Sequence, residues 1–344
     1  MGSRAIVLGA SGFAGGELLR LLSRHDGIEL VAAAAGTRAG SPVAGLYPHL
    51  AGYRDLGFVS IEDAASMEAD VAFCSLPHGE SMAILPALPA AKIVDLGGDF
   101  RLREPSLYAR WYGKEHPRPD ELGRWVYGLT EWRREEIAGA DRVANPGCYP
   151  AATILALAPL VAAGVVELEG IHVDAKSGVS GAGRAGGEGL DFASANENLR
   201  PYSVTGHKHI PEIEQELASA AGAPVTISFV PHLVPMTRGL LVTCRGRLAT
   251  GAGTADVIDV LRQRYAGERF IRVLEEGELT ETKRLTGTNG AEVTARVDER
   301  TGTVLAFAAL DNLGKGAAGQ ALQNANLMLG LDEGTGLDQP GMMP

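Results

Sequence analysis

The sequence predicts an α/β chain in two parts: a parallel sheet with helices on its faces, then an α+β region whose sheet is mixed or antiparallel. Three observations carry this reading. Short apolar runs closed by turn residues alternate with helical spacing through the first third. Longer strand-like runs dominate the later portion. The 344 residues, at ~150 per domain, are enough for about two cores.

The elements follow in order. Ala5 to Leu8 is an apolar run ending in glycines, Glu17 to Leu22 carries leucines at helical spacing, and Ile28 to Ala35 is a second apolar run. Together they make a strand–helix–strand unit of about 30 residues, the length of a right-handed βαβ crossover. Val71 to Ser75 and Lys92 to Leu96 are further strands, closed by SLPHG and GGD. Arg103 to Arg124 has no legible period and is expected to be an irregular excursion. After NPGCYP a helix is expected over Ala151 to Ala163, then a strand over Val165 to Ala175 and a second glycine-rich loop, KSGVSGAGRAGGEG. Strands are expected at Val225–Val230, Leu240–Arg247, Val293–Val297 and Thr303–Leu310, with an amphipathic helix around Val257–Tyr265. A last helix, Ala317 to Leu329, follows DNLGKG. The sequence has no internal repeat and no low-complexity tract.

Composition narrows the function classes. Lys and Arg number 31 against 42 Asp and Glu, a net charge of −11 that repels nucleic acid and anionic membranes. An anionic substrate must then be met by a local cluster of cations. No apolar run approaches the ~18 residues of a membrane span. The start, MGSRAIVLGASG, enters a strand at once, without the series of regions that marks a secretory leader. Cys74, Cys148 and Cys244 are an odd number without CxxC spacing, which argues against a disulfide framework and a structural zinc site. A cytoplasmic protein is expected. Its 45 glycines, about twice the average share, have no collagen-like period and suit tight turns and phosphate loops.

Gly9-Ala10-Ser11-Gly12-Phe13-Ala14-Gly15 lies between a strand and a helix. Gly9, Gly12 and Gly15 allow close backbone approach, and the helix start offers N–H groups and a positive dipole end to a pyrophosphate. Ser11 departs from the GxGxxG spacing, so a mere tight turn is the competing reading; the flanking strand and helix favour a Rossmann-type dinucleotide site. At the end of the second strand, where an NAD site places a carboxylate on the ribose, this chain has Gly36-Thr37-Arg38. Arg38, aided by Thr37 or Ser11, is therefore expected to hold the 2′-phosphate of NADP(H).

Cys148 sits in a turn just before a predicted helix, with Pro150 suited to its first positions. The dipole there would favour thiolate. Cys74 and Cys244 lie inside strand runs and read as small buried apolar residues. A proton-transfer partner is available in GHKHIPEI, where His207 and His209 could take a thiol proton or hydrogen-bond an oxyanion. Both could also ligate a metal, but no third ligand stands at a persuasive spacing, so no metal is expected.

At these residues the chain resembles the N-acetyl-γ-glutamyl-phosphate reductases, relatives of the aspartate-semialdehyde dehydrogenases. The resemblance runs in order through GASGFAGGELLRLL, LPHG, DLGGDFRL, YGLTE, NPGCYP, DAKSGVSGAGR, NENLRPY, GHKHIPEIEQEL, PHLVPMTRGLL and DNLGKGAAGQALQNANLMLG. It implies an NADPH-dependent reductive dephosphorylation in arginine biosynthesis, in which an acyl phosphate becomes an aldehyde through a cysteine thioester. It implies Cys148 as nucleophile and a cationic His207, preferred to His209 on motif position, as the group that stabilises or protonates the oxyanion. Cofactor contacts are expected from Gly9, Ser11, Gly12, Phe13, Ala14, Gly15, Thr37, Arg38, Ser75 and Pro77, with Ser177, Gly178 and Asn312 where the second domain and the final helix close over the nicotinamide. For the substrate anions the candidate cations are Arg101, Arg184, Lys208 and Arg238, of which Arg101 and Arg238 are preferred, with Asn145 and Tyr202 lining the pocket. The implied division is discontinuous: residues 1–147 and 312–344 form the NADP-binding domain, 148–311 the catalytic and oligomerisation domain of a homodimer or homotetramer. Two rival functions remain: a reductase of glutamyl or aminoadipyl phosphate carried on a small acidic protein, and a non-catalytic NADP-binding sensor or scaffold. The second predicts an altered nucleophile turn, and this one is intact.

Overall fold

The computed structural model describes residues 2–184 and 186–343. Its first sheet is built from β1 (Ser3–Leu8), β2 (Ile28–Ala34), β3 (Phe58–Val59), β4 (Ala69–Cys74), β5 (Ala90–Asp95), β6 (Val126–Tyr127) and β7 (Arg142–Ala144). All pair in parallel, in the order β3-β2-β1-β4-β5-β7-β6. Ala5, Ile6, Val7 and Leu8 are all fully buried, because helices cover both faces; hence β1 reads as a continuous apolar run rather than an alternation. The strand order reverses between β1 and β4. That reversal opens a crevice at the carboxyl ends of the strands, the usual ligand position in a doubly wound sheet.

The second sheet comprises β8 (Ile171–Gly178), β9 (Arg200–Pro201), β10 (Ile227–Val234), β11 (Leu240–Arg247), β12 (Ile271–Val273), β13 (Ala291–Asp298) and β14 (Thr303–Leu310). Its order is β12-β13-β14-β11-β8-β10-β9, with β8 parallel to β10 and antiparallel to β11, so the sheet is mixed. Along β8, Ile171, Val173 and Ala175 are buried while His172 and Asp174 are exposed. The buried face packs on the helix Cys148–Ala162, which is apolar all round because the helix His209–Ala221 covers it from the other side.

Three expectations are corrected. The excursion after Arg103 contains a helix, Pro105–Tyr112, started by Pro105 and stopped by Gly113 at φ 72°. Only Tyr108 in it is buried, so no period could show; aromatic pairs fix it instead, Tyr108 on Tyr112 at 4.4 Å and Phe100 on Trp125 at 4.2 Å. The strand expected from Val165 begins at Ile171, because ELEG turns the chain through Gly170 at φ 68° and Val166 makes only an isolated bridge to Leu248. The last helix, Gly319–Met328, is preceded by a π-turn at Gly314–Ala318. It returns to the first sheet: Leu322 and Ala325 share a core with Leu18, Leu19, Val94 and Val143, and Asn324 Nδ2 donates to the Gly128 carbonyl at 2.8 Å.

Candidate active site

At the crevice, Gly9 adopts φ 79°, and a Cβ there would fall 2.2 Å from the Ser75 carbonyl oxygen beyond β4. Only glycine lets these two loops touch. The chain then enters the helix Phe13–Leu22 through Gly12, which has no side-chain cap, and no carboxylate occupies the first turn. The N–H groups at this helix start have no intrahelical acceptor, which suits an anion. Thr37 and Arg38 are exposed beyond β2, and Ser75 and Pro77 border the same crevice beyond β4. These residues fit a dinucleotide. Ser177 and Gly178 end β8, Asn312 follows β14, and all three are buried; Asn312 accepts from the Gly239 N–H at 2.8 Å and donates to Ser180 Oγ at 2.9 Å. In this state the Asn312 amide holds the turn after β8 rather than facing outward.

Cys148 opens the long buried helix, directly after β7 and Asn145-Pro146-Gly147. The turn is held from below by Glu212, a buried carboxylate near the start of the helix His209–Ala221. Its Oε1 accepts from the Gly147 N–H at 2.8 Å and the Tyr127 hydroxyl at 2.9 Å, and its Oε2 meets the Arg101 guanidinium at 3.3 Å. Arg101 also donates to the carbonyls of Asn145 and Leu96, both at 2.8 Å. A Cβ on Gly147 would lie 2.4 Å from His209 Nε2 and 2.9 Å from Arg101 Nη1, so the nucleophile turn, the imidazole and the guanidinium pack with no room between them. On its other side the Cβ of Cys148 bounds Gly316 of the π-turn, where a methyl would come within 2.9 Å.

A cavity of about 510 Å³ opens here, its wall including Cys148, Ser177, Arg200, Tyr202, His207, Lys208 and His209. Tyr202 and Tyr149 are joined through their hydroxyls at 3.2 Å. The His207 and His209 rings lie 4.6 Å apart. His207 Nδ1 accepts the His209 backbone N–H at 3.1 Å, so its neutral ring carries the proton on Nε2 and is a donor there. His209 differs, since its Nδ1 is buried without a partner. Burial and the neighbouring Lys208 bring His207 down to about 4, and burial, His207 and Arg101 hold His209 well below the ordinary imidazole range. Burial thus disfavours the cationic form expected of His207. Burial likewise pushes the Cys148 thiol up to about 11, against the opposing pull of the Tyr149 N–H and Arg101. Enclosure by protein thus opposes the thiolate that the helix terminus was expected to favour.

Two of the expected substrate cations are engaged elsewhere. Arg238 donates Nε to both Asp311 oxygens and its terminal nitrogens to both Glu17 oxygens, at 2.8–3.1 Å. That clamp joins the first helix to the end of β14 and leaves no fork for a ligand. Arg101 supports the nucleophile turn, and Asn145 bonds the Ala317 carbonyl and Asn324. The cations on the cavity wall are Lys208 and Arg200; Arg200, not among the sequence candidates although it stands inside NENLRPY, donates to the carbonyls of Glu188 and Gly189 at 3.4 and 3.2 Å. Arg184 instead reaches the dinucleotide crevice. Glu212 was legible too: it follows His209 by three residues, on the same side of the first helical turn. Among the described residues no three His, Cys, Asp or Glu side chains converge on a metal position.

Comparison with known proteins agrees with this arrangement. Residues 4–140 match a family model described as the NAD binding domain of semialdehyde dehydrogenase, and residues 148–312 its dimerisation domain. An N-acetyl-γ-glutamyl-phosphate reductase of Symbiobacterium thermophilum is 50% identical over 341 residues, 98% of each chain. The chain belongs to the N-acetyl-γ-glutamyl-phosphate reductase family of semialdehyde dehydrogenases. A second such reductase, from Pelotomaculum thermopropionicum, is 46% identical over the whole of both chains. Among solved structures, an aspartate semialdehyde dehydrogenase II of Vibrio cholerae complexed with ASA superposes with a TM-score of 0.72 at 19% identity, covering 96% and 98% of the two chains. An aspartate semialdehyde dehydrogenase of Candida albicans with NADP gives 0.63 at 17%, covering 96% and 99%. The reductase family thus shares its two-sheet fold with enzymes whose sequences have diverged widely.

Proposed function

We propose that this chain reduces N-acetyl-γ-glutamyl phosphate to N-acetyl-glutamate 5-semialdehyde with NADPH, releasing phosphate, through a thioester on Cys148. One observation carries the reading: a cysteine at the start of a buried helix shares a cavity wall with two neutral imidazoles. The 50% identical reductase supports the substrate. Gly9, Ser11, Gly12, Phe13, Ala14 and Gly15 would cradle the dinucleotide, with Thr37, Arg38, Ser75 and Pro77 on its borders. Arg38 and the lack of a carboxylate after β2 favour NADPH over NADH. When bound, NADPH supplies the hydride that takes a thioester carbonyl to the aldehyde level.

The residues divide the proton work. His209, packed on Gly147, accepts the thiol proton as the sulfur of Cys148 attacks the acyl carbon and the phosphate leaves with the bonding electron pair. His207 presents its Nε2–H to the carbonyl oxygen, where negative charge develops in each tetrahedral state. On collapse the carbon–sulfur bond breaks, the aldehyde forms, and the proton held on His209 returns to the thiolate. Lys208 and Arg200, which outnumber the single carboxylate Glu188 on the cavity wall, supply the cations that an anionic substrate needs in a chain of net charge −11. The charged fork of Arg101 and the amide of Asn145 hold the turn, and Tyr202 lines the cavity. The contacts of the last helix with the first sheet support the discontinuous division, with 312–344 joined to 1–147. The match to a dimerisation domain supports a homo-oligomer, dimer or tetramer. No described helix is long and apolar enough to cross a membrane, and three free cysteines suit a reducing cytoplasm.

The test is NADPH oxidation and phosphate release with free N-acetyl-γ-glutamyl phosphate. Cys148→Ala should abolish both while NADPH binding persists; undiminished turnover in that variant would remove the covalent route. Activity only with a carrier-bound acyl phosphate would favour the carrier-linked reductase instead.

A further inference from the structure

The second part reaches across to the dinucleotide crevice at one side chain. Arg184 follows the turn Val179–Ala182, whose Gly181 and Ala182 line the cavity of Cys148. Its Nε donates to the Ser11 carbonyl at 2.7 Å, and its Nη2 to the Tyr47 hydroxyl at 3.2 Å. The guanidinium carbon stands 4.6 Å from the centre of the Phe13 ring and 5.4 Å from that of Tyr47. Tyr47 in turn donates to the Ala10 and Gly12 carbonyls at 3.1 and 2.8 Å, so the cation is seated on the glycine loop itself.

The charge of Arg184 is not neutralised within the fold. Arg101, Arg133, Arg134 and Arg238 each meet a carboxylate, whereas among the described residues no carboxylate lies within ion-pair distance of Arg184. Two of its five N–H donors are engaged and three are left over. A cation beside the positive end of a helix is unfavourable unless an anion joins them. Arg38 lies near enough to influence the same tyrosine, so two cations approach the loop from different parts of the fold.

We infer that Arg184 is a ligand for a phosphate of the dinucleotide, delivered from the second part, and that it ties cofactor occupancy to the cavity wall two residues away. The inference rests on the NADPH-dependent reading above. Arginine suits the role because its planar fork can hold a phosphate while its face stays on Phe13. Once a phosphate is bound there, the Val179–Ala182 turn is anchored to the first part, and Gly181 and Ala182 are held against the substrate cavity before the acyl phosphate enters.

The test is titration of NADPH fluorescence with resting enzyme, free of acyl phosphate. Arg184→Met should weaken binding roughly tenfold or more, the loss of one charge-assisted contact, with an unchanged near-ultraviolet dichroism spectrum; Arg184→Lys should recover part of it. A deficit confined to NADPH marks the 2′-phosphate as the ligand, and an equal deficit with NADH marks the diphosphate. Hydrogen exchange supplies the second readout: saturating NADPH should slow residues 179–184 in the wild type and much less in Arg184→Met. Unchanged affinity in the Met variant, or equal slowing in both proteins, would overturn the inference. Failure of the wild type to bind NADPH at all would instead strike the functional reading.

Discussion

Cys148 is a strong nucleophile only as the thiolate, yet in the resting protein it is protonated. Burial raises its thiol to about 11, above the ordinary thiol range, which favours the protonated form at neutral pH. The alkylation rate of free enzyme with iodoacetamide should therefore keep rising from pH 7 to pH 10. A plateau below pH 8 would mean that the helix terminus outweighs burial after all. The two histidines should also separate kinetically. If His209 accepts the thiol proton as proposed, His209→Asn should suppress the burst of phosphate release. His207→Asn should leave a measurable burst and slow aldehyde formation, because it removes a donor to the oxyanion. Loss of the burst in His207→Asn with its retention in His209→Asn would exchange the roles.

At the scale of elements, the Cys148 turn is a contact between two helix starts. The Cys148 helix begins where the chain leaves β7, and the His209 helix brings Glu212 beneath it. The Arg101–Glu212 pair is almost wholly enclosed, 9% and 2% exposed. Removing one charge from such a pair strands the other, at a cost of about 3–5 kcal/mol. Glu212→Leu should accordingly lower the urea midpoint sharply. Glu212→Gln, which can still accept from the Gly147 N–H and the Tyr127 hydroxyl, should cost clearly less. Equal losses would show that the carboxylate charge contributes nothing beyond its hydrogen bonds.

Across the whole molecule, the C-terminal helix closes the structure. Lys315, fully buried in the π-turn, donates to Glu131 Oε1 at 2.6 Å and Gln323 Oε1 at 2.7 Å, joining this end of the chain to the helix Thr130–Ala138. Burial depresses the lysine against the pull of Glu131. Lys315→Met should destabilise by about 3–5 kcal/mol, because it leaves a buried carboxylate alone. Adding Glu131→Leu should restore a large part of that loss; a double variant no more stable than the single one would refute the pairing. The Arg238 clamp instead joins the second part to Glu17 of the first, so it stabilises the relative placement of the two parts without touching the cavity wall.

The sequence alone determined the local chemistry. The βαβ unit, the glycine loop, the Cys148 turn and the two-histidine segment were all legible, because each depends on neighbours within about 30 residues and on residue types that turns and proton transfer demand. Only the tertiary structure decided which charges are free. Arg238 and Arg101 look like anion ligands in one dimension, but their carboxylate partners lie 221 and 111 residues away. Arg184 reads as a loop residue, yet it crosses to Ser11, 173 positions earlier. The state of Cys148 and the histidines also waited for the fold, because desolvation is set by everything packed around a group and leaves no mark on the spacing of residues along the chain.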